Sequence, residues 1–380
     1  MKICLLGYHE PHVNAYYNGA HKAMYLQAVQ LKAQNHEVIF HTMLVPSDFA
    51  EIYDFLKSEQ VELAIWHITN LRIMGRLRFP CPVVGIWHQG IFKPSPNYAS
   101  DFCKKFRITG VRKMIVEAPI IGHALAFSNY VRNQVLFTYL TYHLTKIVIL
   151  SPSSSKHYLA YYMQPKRFIS IPNYKDNAQR TIDVEILKKK EHKVLYMGRL
   201  ENKTKQVNLL LDIWSMVEKL HNDWTLEICG EGESKDALIV QAQKLGLTRV
   251  HFNGQVLPDA YYSSASIICL TSYMEGSPLV IDEGQAYGCI PIVFNSFPAA
   301  ADKIVDGETG YLIRPFNITQ FANRLNALIG DEVMRTVMAS RILHNSLCRG
   351  GKRYNQYITN VWNSLFIELN LNCDGNIKIQ

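Results

Sequence analysis

The chain has 380 residues, more than one compact core usually holds, so two domains are expected. Its 48% hydrophobic and 19% charged residues are an ordinary globular balance, which excludes a disordered or low-complexity chain. The net charge of +8 sits largely in residues 71–120, where nine basic side chains face only Asp101 and Glu117.

In chain order, apolar runs at 2–7, 37–43, 63–68, 83–88, 146–151 and 168–173 predict strands, with helical pattern at 20–34 and 51–58. This alternation implies an α/β domain with a parallel sheet. The first strand-to-helix loop, 8–19, is long and offers Gly19 without a GxGxxG pattern, which argues against a dehydrogenase-type dinucleotide site. His88 closes one strand and faces the expected cleft, and His67 closes the strand before it. Residues 102–115 interleave aromatic and aliphatic side chains with Lys104, Lys105, Arg107, Arg112 and Lys113. Such a segment suits an anionic membrane surface or acceptor, or else is a solvated basic face that Gly110 interrupts. Nucleic acid is disfavoured, because no recognised binding motif accompanies the charge.

Residues 176–191 turn polar and read as a linker, after which strands are predicted at 193–197, 225–229, 250–253, 266–270 and 290–294. The first of these ends in Gly198-Arg199-Leu200, with Lys203 and Lys205 following. Cations at the C-terminal edge of a parallel sheet lie where such sheets bind ligands, and these suit a diphosphate. Gly230-x-Gly232 reads as a turn. The strand at 266–270 leads into Thr271 to Gly276, then Ser277 as N-cap and a helix from Pro278 to about Tyr287, stopped by Gly288. Free N–H groups of Leu279 and Val280 make an anion site at that helix start. Glu275 and Glu283 bracket it, Glu283 roughly 1.5 turns inside the helix. A last helix is predicted from Tyr354, Tyr357, Ile358, Val361, Trp362, Leu365, Phe366 and Leu369 on one face.

The run Glu275-Gly276-Ser277-Pro278-Leu279-Val280 followed by Glu283 resembles the Glu-x7-Glu signature of retaining GT-B glycosyltransferases, particularly family 4, the group 1 type. The resemblance is strong over 193–313 and looser before it. It implies two Rossmann-like α/β domains facing a cleft: an acceptor domain at 1–180, completed by a crossover helix at about 352–380, and a nucleotide-sugar domain at 190–350. It implies donor binding by Arg199, Lys205, Gly276, Ser277, Pro278, Leu279, Val280 and Glu283, with Glu275 and His88 at the transferred sugar. Lys205 is preferred to Lys203 because the family's helix follows it, but the glycine usual after that lysine is here Gln206. The family's glycine pair in the first loop is reduced to Asn18-Gly19, and the resemblance implies donor binding by Gly19 through its backbone.

The implied reaction moves a sugar from a nucleoside diphosphate sugar, UDP favoured, to a hydroxyl of a glycan or lipid-linked acceptor, with retention. A GT-B sugar-nucleotide epimerase and a non-catalytic accessory subunit are the alternatives. No cofactor or metal is expected: there is no Asp-x-Asp, no Walker A run, and the eight cysteines form no CxxC pair. No signal peptide or transmembrane run is read, so a cytoplasmic protein, at most peripheral on the inner face of a membrane, is expected.

Overall fold

The computed structural model describes residues 1–7, 18–42, 49–69, 77–90, 102–103, 106, 108–161, 165–175, 184–349 and 352–371. The first half alternates β1 (Lys2–Gly7), α1 (Gly19–Ala33), β2 (Glu37–Thr42), α2 (Phe49–Ser58), β3 (Leu63–Ile68), β4 (Val83–Trp87), α3 (Gly110–Glu117), α4 (Pro119–His143), β5 (Lys146–Ile149), α5 (Pro152–Tyr161) and β6 (Phe168–Ser170). All six strands are parallel, in the order β2-β1-β3-β4-β5-β6. β3 and β4 are buried along their whole length, which is why they read as unbroken apolar runs.

The second half repeats the design with β7 (Glu191–Met197), α6 (Val207–Val217), β8 (Thr225–Cys229), α7 (Lys235–Lys244), β9 (Val250–Gly254), α8 (Pro258–Ser264), β10 (Ala265–Leu270), α9 (Leu279–Ala286), β11 (Ile290–Phe294), α10 (Ala299–Lys303), β12 (Tyr311–Ile313), α11 (Ile318–Gly330) and α12 (Glu332–Arg349). This sheet is also parallel, ordered β12-β11-β10-β7-β8-β9. The chain moves outward from β7 to β9, then returns to β10 on the other side of β7. The strand order therefore reverses between β7 and β10, and a crevice opens at their C-terminal ends. In the first sheet the same reversal lies between β1 and β3.

The last helix, α13 (Lys352–Glu368), does not stay with the second sheet. Its Ile358, Trp362, Leu365 and Phe366 are buried in one cluster with Ile3, Leu5, Met24 and Leu31 of the first domain. Asn355 on the same helix bonds the backbone of Lys175 in both directions, at 2.9 Å each.

Several elements were not expected from sequence, β12 and α4 among them. β12 has only three residues, too few to show a period. α4 runs for 25 residues, but it buries only Ala126, Phe137, Leu140 and Thr141, so its apolar pattern does not track burial. Among the described residues, no helix is long and apolar enough to cross a membrane.

Candidate active site

The loop after β10 is held in place from both sides. Thr271 Oγ1 donates to the carbonyl of Gln206 at 2.9 Å, and Tyr273 N–H donates to that of Thr204 at 2.7 Å. Ser296 Oγ donates to the Ser272 carbonyl at 2.5 Å. The turns that follow β7 and β10 are thus one rigid unit. Gln206 adopts φ 49° and ψ 45°, the left-handed conformation a glycine takes without strain. The backbone keeps that shape although the residue is not glycine.

The helix start needs a correction. α9 begins at Leu279; Pro278, at φ −65° and ψ 115°, is its N-cap, and Ser277 lies one residue outside. Proline in that extended ψ cannot open the helical turn, and no side chain caps the helix. The N–H groups of Leu279 and Val280 remain those of the first turn, which have no partner within the helix. The other end is as expected. Gly288, at φ 77°, follows the last turn, with Cys289 N–H bonded to the Gly284 carbonyl at 2.9 Å and Gly288 N–H to Gln285 at 3.0 Å. That pair of bonds is a Schellman stop.

Around this start the charged groups are ordered. Glu275 Oε1 accepts from Lys205 Nζ at 2.6 Å and from Ser272 Oγ at 2.7 Å. Glu283 Oε2 accepts from the Tyr262 hydroxyl at 2.7 Å, and its Oε1 from Lys22 Nζ at 2.8 Å. Burial, then the Glu283 charge, push the Tyr262 hydroxyl well above its ordinary range, so it remains a donor. Lys205 points into the turn, whereas Lys203 is exposed. Arg199 does not join them: it is 62% exposed and pairs with Glu201 at 3.1 Å, a carboxylate two residues away that holds it on the surface. Gly230 and Gly232 let two backbones touch. A Cβ on Gly230 would lie 1.9 Å from the Gly198 carbonyl oxygen, and one on Gly232 2.3 Å from that of Leu200.

From the first domain, the loop after β4 reaches this turn. A Cβ on Gly276 would meet the His88 carbonyl oxygen at 2.2 Å, and one on Gly90 would meet Met274 and Glu275. The Tyr158 hydroxyl anchors the loop, accepting from Trp87 Nε1 at 2.8 Å and donating to the Gly90 carbonyl at 3.1 Å. His88 and His67 belong to one chain of contacts. His88 Nε2 lies 2.9 Å from His67 Nδ1, and His67 Nε2 lies 2.9 Å from Gln27 Oε1. The amide oxygen of Gln27 can only accept, so His67 carries its proton on Nε2 and takes a second hydrogen from His88 Nε2. Burial lowers the His88 pKa to about 3 and holds His67 well below its ordinary value, with the neighbouring His88 and His21 adding to the effect on His67. Both rings are neutral. His67 is buried behind His88, and His88 is the one beside the Glu275 turn.

Gly19 is exposed at the start of α1, one turn from Lys22; Asn18 caps that helix by accepting from His21 N–H at 3.0 Å. Arg112 and Lys113 lie exposed on α3, while Lys104, Lys105 and Arg107 lie outside the described residues.

Sequence reasoning missed several groups. Ser272, Tyr262 and Lys22 became visible only when the fold brought them to Glu275 and Glu283, since nothing in their spacing points there. Asp282 was readable as the neighbour of Glu283. It lies between Lys303, which it contacts, and Lys175 at 3.4 Å. Burial alone would raise its pKa, but the two ammonium groups outweigh that and hold it below the usual carboxylate range.

Residues 178–343 match the family model described as glycosyl transferases group 1. This segment belongs to that family. A Haemophilus influenzae protein described as an uncharacterized glycosyltransferase is 32% identical to the chain over 157 residues, 38% of this chain and 44% of that one. The amylovoran biosynthesis glycosyltransferase AmsD of Erwinia amylovora is 29% identical over 248 residues, 63% of this chain and 66% of that one. The chain thus spans between 44% and 66% of the length of these two curated relatives. Among solved structures, HepE of Anabaena in complex with UDP and glucose superposes with a TM-score of 0.67 at 16% identity, covering 96% of this chain and 100% of that one. WaaG, a glycosyltransferase involved in lipopolysaccharide biosynthesis, superposes at 0.63 with 16% identity, covering 90% and 94%. These likenesses establish the GT-B fold. In this group 1 segment, the crevice between β7 and β10 holds Lys205, Glu275 and the start of α9.

Proposed function

We propose that the chain is a metal-independent, retaining glycosyltransferase that takes a nucleoside diphosphate sugar, UDP favoured, and glycosylates a hydroxyl of a glycan or lipid-linked acceptor in surface polysaccharide synthesis. The observation that carries this reading is the Lys205–Glu275 pair just before α9, a helix that no side chain caps and that carries Glu283. A diphosphate there would meet Lys205 and the N–H groups of Leu279 and Val280. Preorganised donors of this kind stabilise a leaving group as its charge develops. Glu283 would exchange Lys22 for the ribose hydroxyls while keeping Tyr262. Glu275 and His88 would hold the transferred sugar, Glu275 by accepting and neutral His88 by hydrogen bonding. Arg199 would have to leave Glu201 to reach the phosphates, so its part is smaller than that of Lys205. Relatives that include capsular and lipopolysaccharide glycosyltransferases support the acceptor class, and UDP complexes among the structural neighbours support the base.

The test is a thermal-shift and turnover screen of nucleoside diphosphate sugars in chelator. One donor should raise Tm, and Lys205→Ala and Glu275→Gln should each lower turnover by roughly 100- to 1000-fold with the fold intact. NMR of the product anomer checks retention. Donor consumption without any acceptor requirement would instead favour the epimerase, and failure of every donor to bind would favour an accessory subunit.

A further inference from the structure

We propose that Lys22, carried by the first domain, is the second cation for the donor diphosphate, so that its full charge stabilisation exists only while the two domains are closed on each other. This rests on the proposed function and adds to it a phosphate contact that the second domain does not supply. There, Lys205 stands with Glu275 at 2.6 Å, but Arg199 is turned outward, 62% exposed and paired with Glu201. A diphosphate gains negative charge as the sugar departs, and that charge is best met by donors already in place.

Lys22 lies on the first turn of α1, where Asn18 caps the helix and the Lys22 N–H bonds the Asn18 carbonyl at 3.1 Å. α1 follows β1, so this turn stands at the C-terminal edge of the first sheet, beside the reversal between β1 and β3. From there the Lys22 side chain crosses to α9 and reaches Glu283 at 2.8 Å, with only 13% of it exposed. It lines one small cavity together with Lys175, Leu279 and Glu283, and Leu279 is the first residue of α9. The ammonium and the helix start therefore border the same space.

Two other lysines reach α9, and both are committed elsewhere. Lys303 and Lys175 share Asp282, and Lys175 also lies over the Tyr354 ring at 4.6 Å. Glu283 differs from Asp282 in being the carboxylate that the ribose hydroxyls would take. An ammonium has three donors on a flexible stem. When the ribose occupies Glu283, Lys22 turns toward the adjoining phosphate while its charge still offsets the carboxylate. Ribose and phosphate are neighbours in any nucleoside diphosphate, so a short swing of the side chain suffices.

The experiment is calorimetric titration of the full chain with UDP, GDP and ADP and with uridine, guanosine and adenosine. Lys22→Met should weaken the diphosphate that wild type binds by about ten-fold or more, as for a lost charge-assisted hydrogen bond, and leave its nucleoside unchanged. Lys22→Arg, which keeps the charge, should recover most of the loss. In a Glu283→Gln background, Lys22→Met should again weaken the diphosphate by about ten-fold, although no carboxylate remains there to be neutralised. A Lys22→Met chain that binds diphosphate and nucleoside more tightly than wild type overturns the proposal, because Lys22 would then only block Glu283. Equal weakening of diphosphate and nucleoside overturns it too, since Lys22 would then act only by holding the domains together. So does an effect that vanishes in the Glu283→Gln background, which would reduce Lys22 to a partner of the carboxylate. If no nucleoside diphosphate binds wild type, the proposed reaction fails and this assignment with it; if one binds and Lys22→Met leaves its affinity unmoved, this assignment alone fails.

Discussion

At the scale of single residues, the linear pattern exposed the groups that sit on conspicuous local structure. Glu275, Glu283 and Lys205 stand beside strand ends or a helix start, where apolar runs and proline mark the position. Their partners stand elsewhere in sequence: Tyr262 lies 21 residues from Glu283 and Lys22 lies 261 away. No period or motif connects such pairs. Tyr262→Phe tests the closer one. It removes the hydroxyl that donates to Glu283 and should lower stability by about 1.5–3 kcal/mol, as expected for a hydrogen bond to a charged group, read as a fall in urea midpoint at unchanged slope. The histidine pair makes a separate prediction. His88 and His67 titrate below the ordinary value of 6.5 in the folded chain but at it when unfolded. Between about pH 6.5 and 3 the unfolded chain therefore binds more protons, and stability falls as pH falls. At about pH 5 the deficit from His88 is roughly 2 kcal/mol relative to pH 7.5, and His67 adds to it in the same direction. His67→Phe should remove part of the loss measured by urea unfolding at the two pH values. An unchanged slope against pH would place the dependence on other groups.

Secondary-structure elements were legible in proportion to how completely burial shaped their sequence. β3 and β4 bury every residue and were placed within a residue. The start of α9 was misplaced by one because Pro278 fits equally a first helical turn and an extended cap, and only its ψ of 115° decides between them. α4 was missed because its apolar side faces outward. The end of α9 was found because Gly288, left-handed in the structure, follows its last turn. Gly288→Ala measures that stop. Alanine at φ 77° costs about 1–2 kcal/mol in backbone strain, and its Cβ would also meet Leu187 at 2.9 Å. Gly307 shares φ 77° but has nothing within 4 Å, so Gly307→Ala should cost only the strain. Thermal unfolding of the two variants should separate them, with Gly288→Ala the less stable; equal Tm values would show that Leu187 moves aside.

For the whole molecule, several sets of contacts join the two domains in addition to α13. Lys22 reaches Glu283, and Lys175 reaches Asp282. Asp302 of α10 accepts from Ser151 and from both Ser153 N–H and Ser153 Oγ, at the start of α5. A carboxylate there is favoured by the helix dipole as well as by the hydroxyls. These contacts keep the cleft narrow around the Glu275 turn, and the tightest approach is backbone against backbone, at Gly276 and His88. The ion pairs are partly exposed and contribute on the order of 1 kcal/mol each, so salt or a ligand can exchange them. The Gly276 contact cannot be exchanged, because an added methyl would stand 2.2 Å from the His88 oxygen and neither backbone can yield locally without moving its strand end. Gly276→Ala should therefore separate the two sheets while leaving each folded. Small-angle scattering should show a larger radius of gyration with an unchanged far-UV spectrum, and nucleotide-sugar affinity should fall by about ten-fold, roughly the 1.4 kcal/mol that a lost set of closed-state contacts represents. A radius of gyration equal to wild type would mean that the loop after β4, not the domain, gives way.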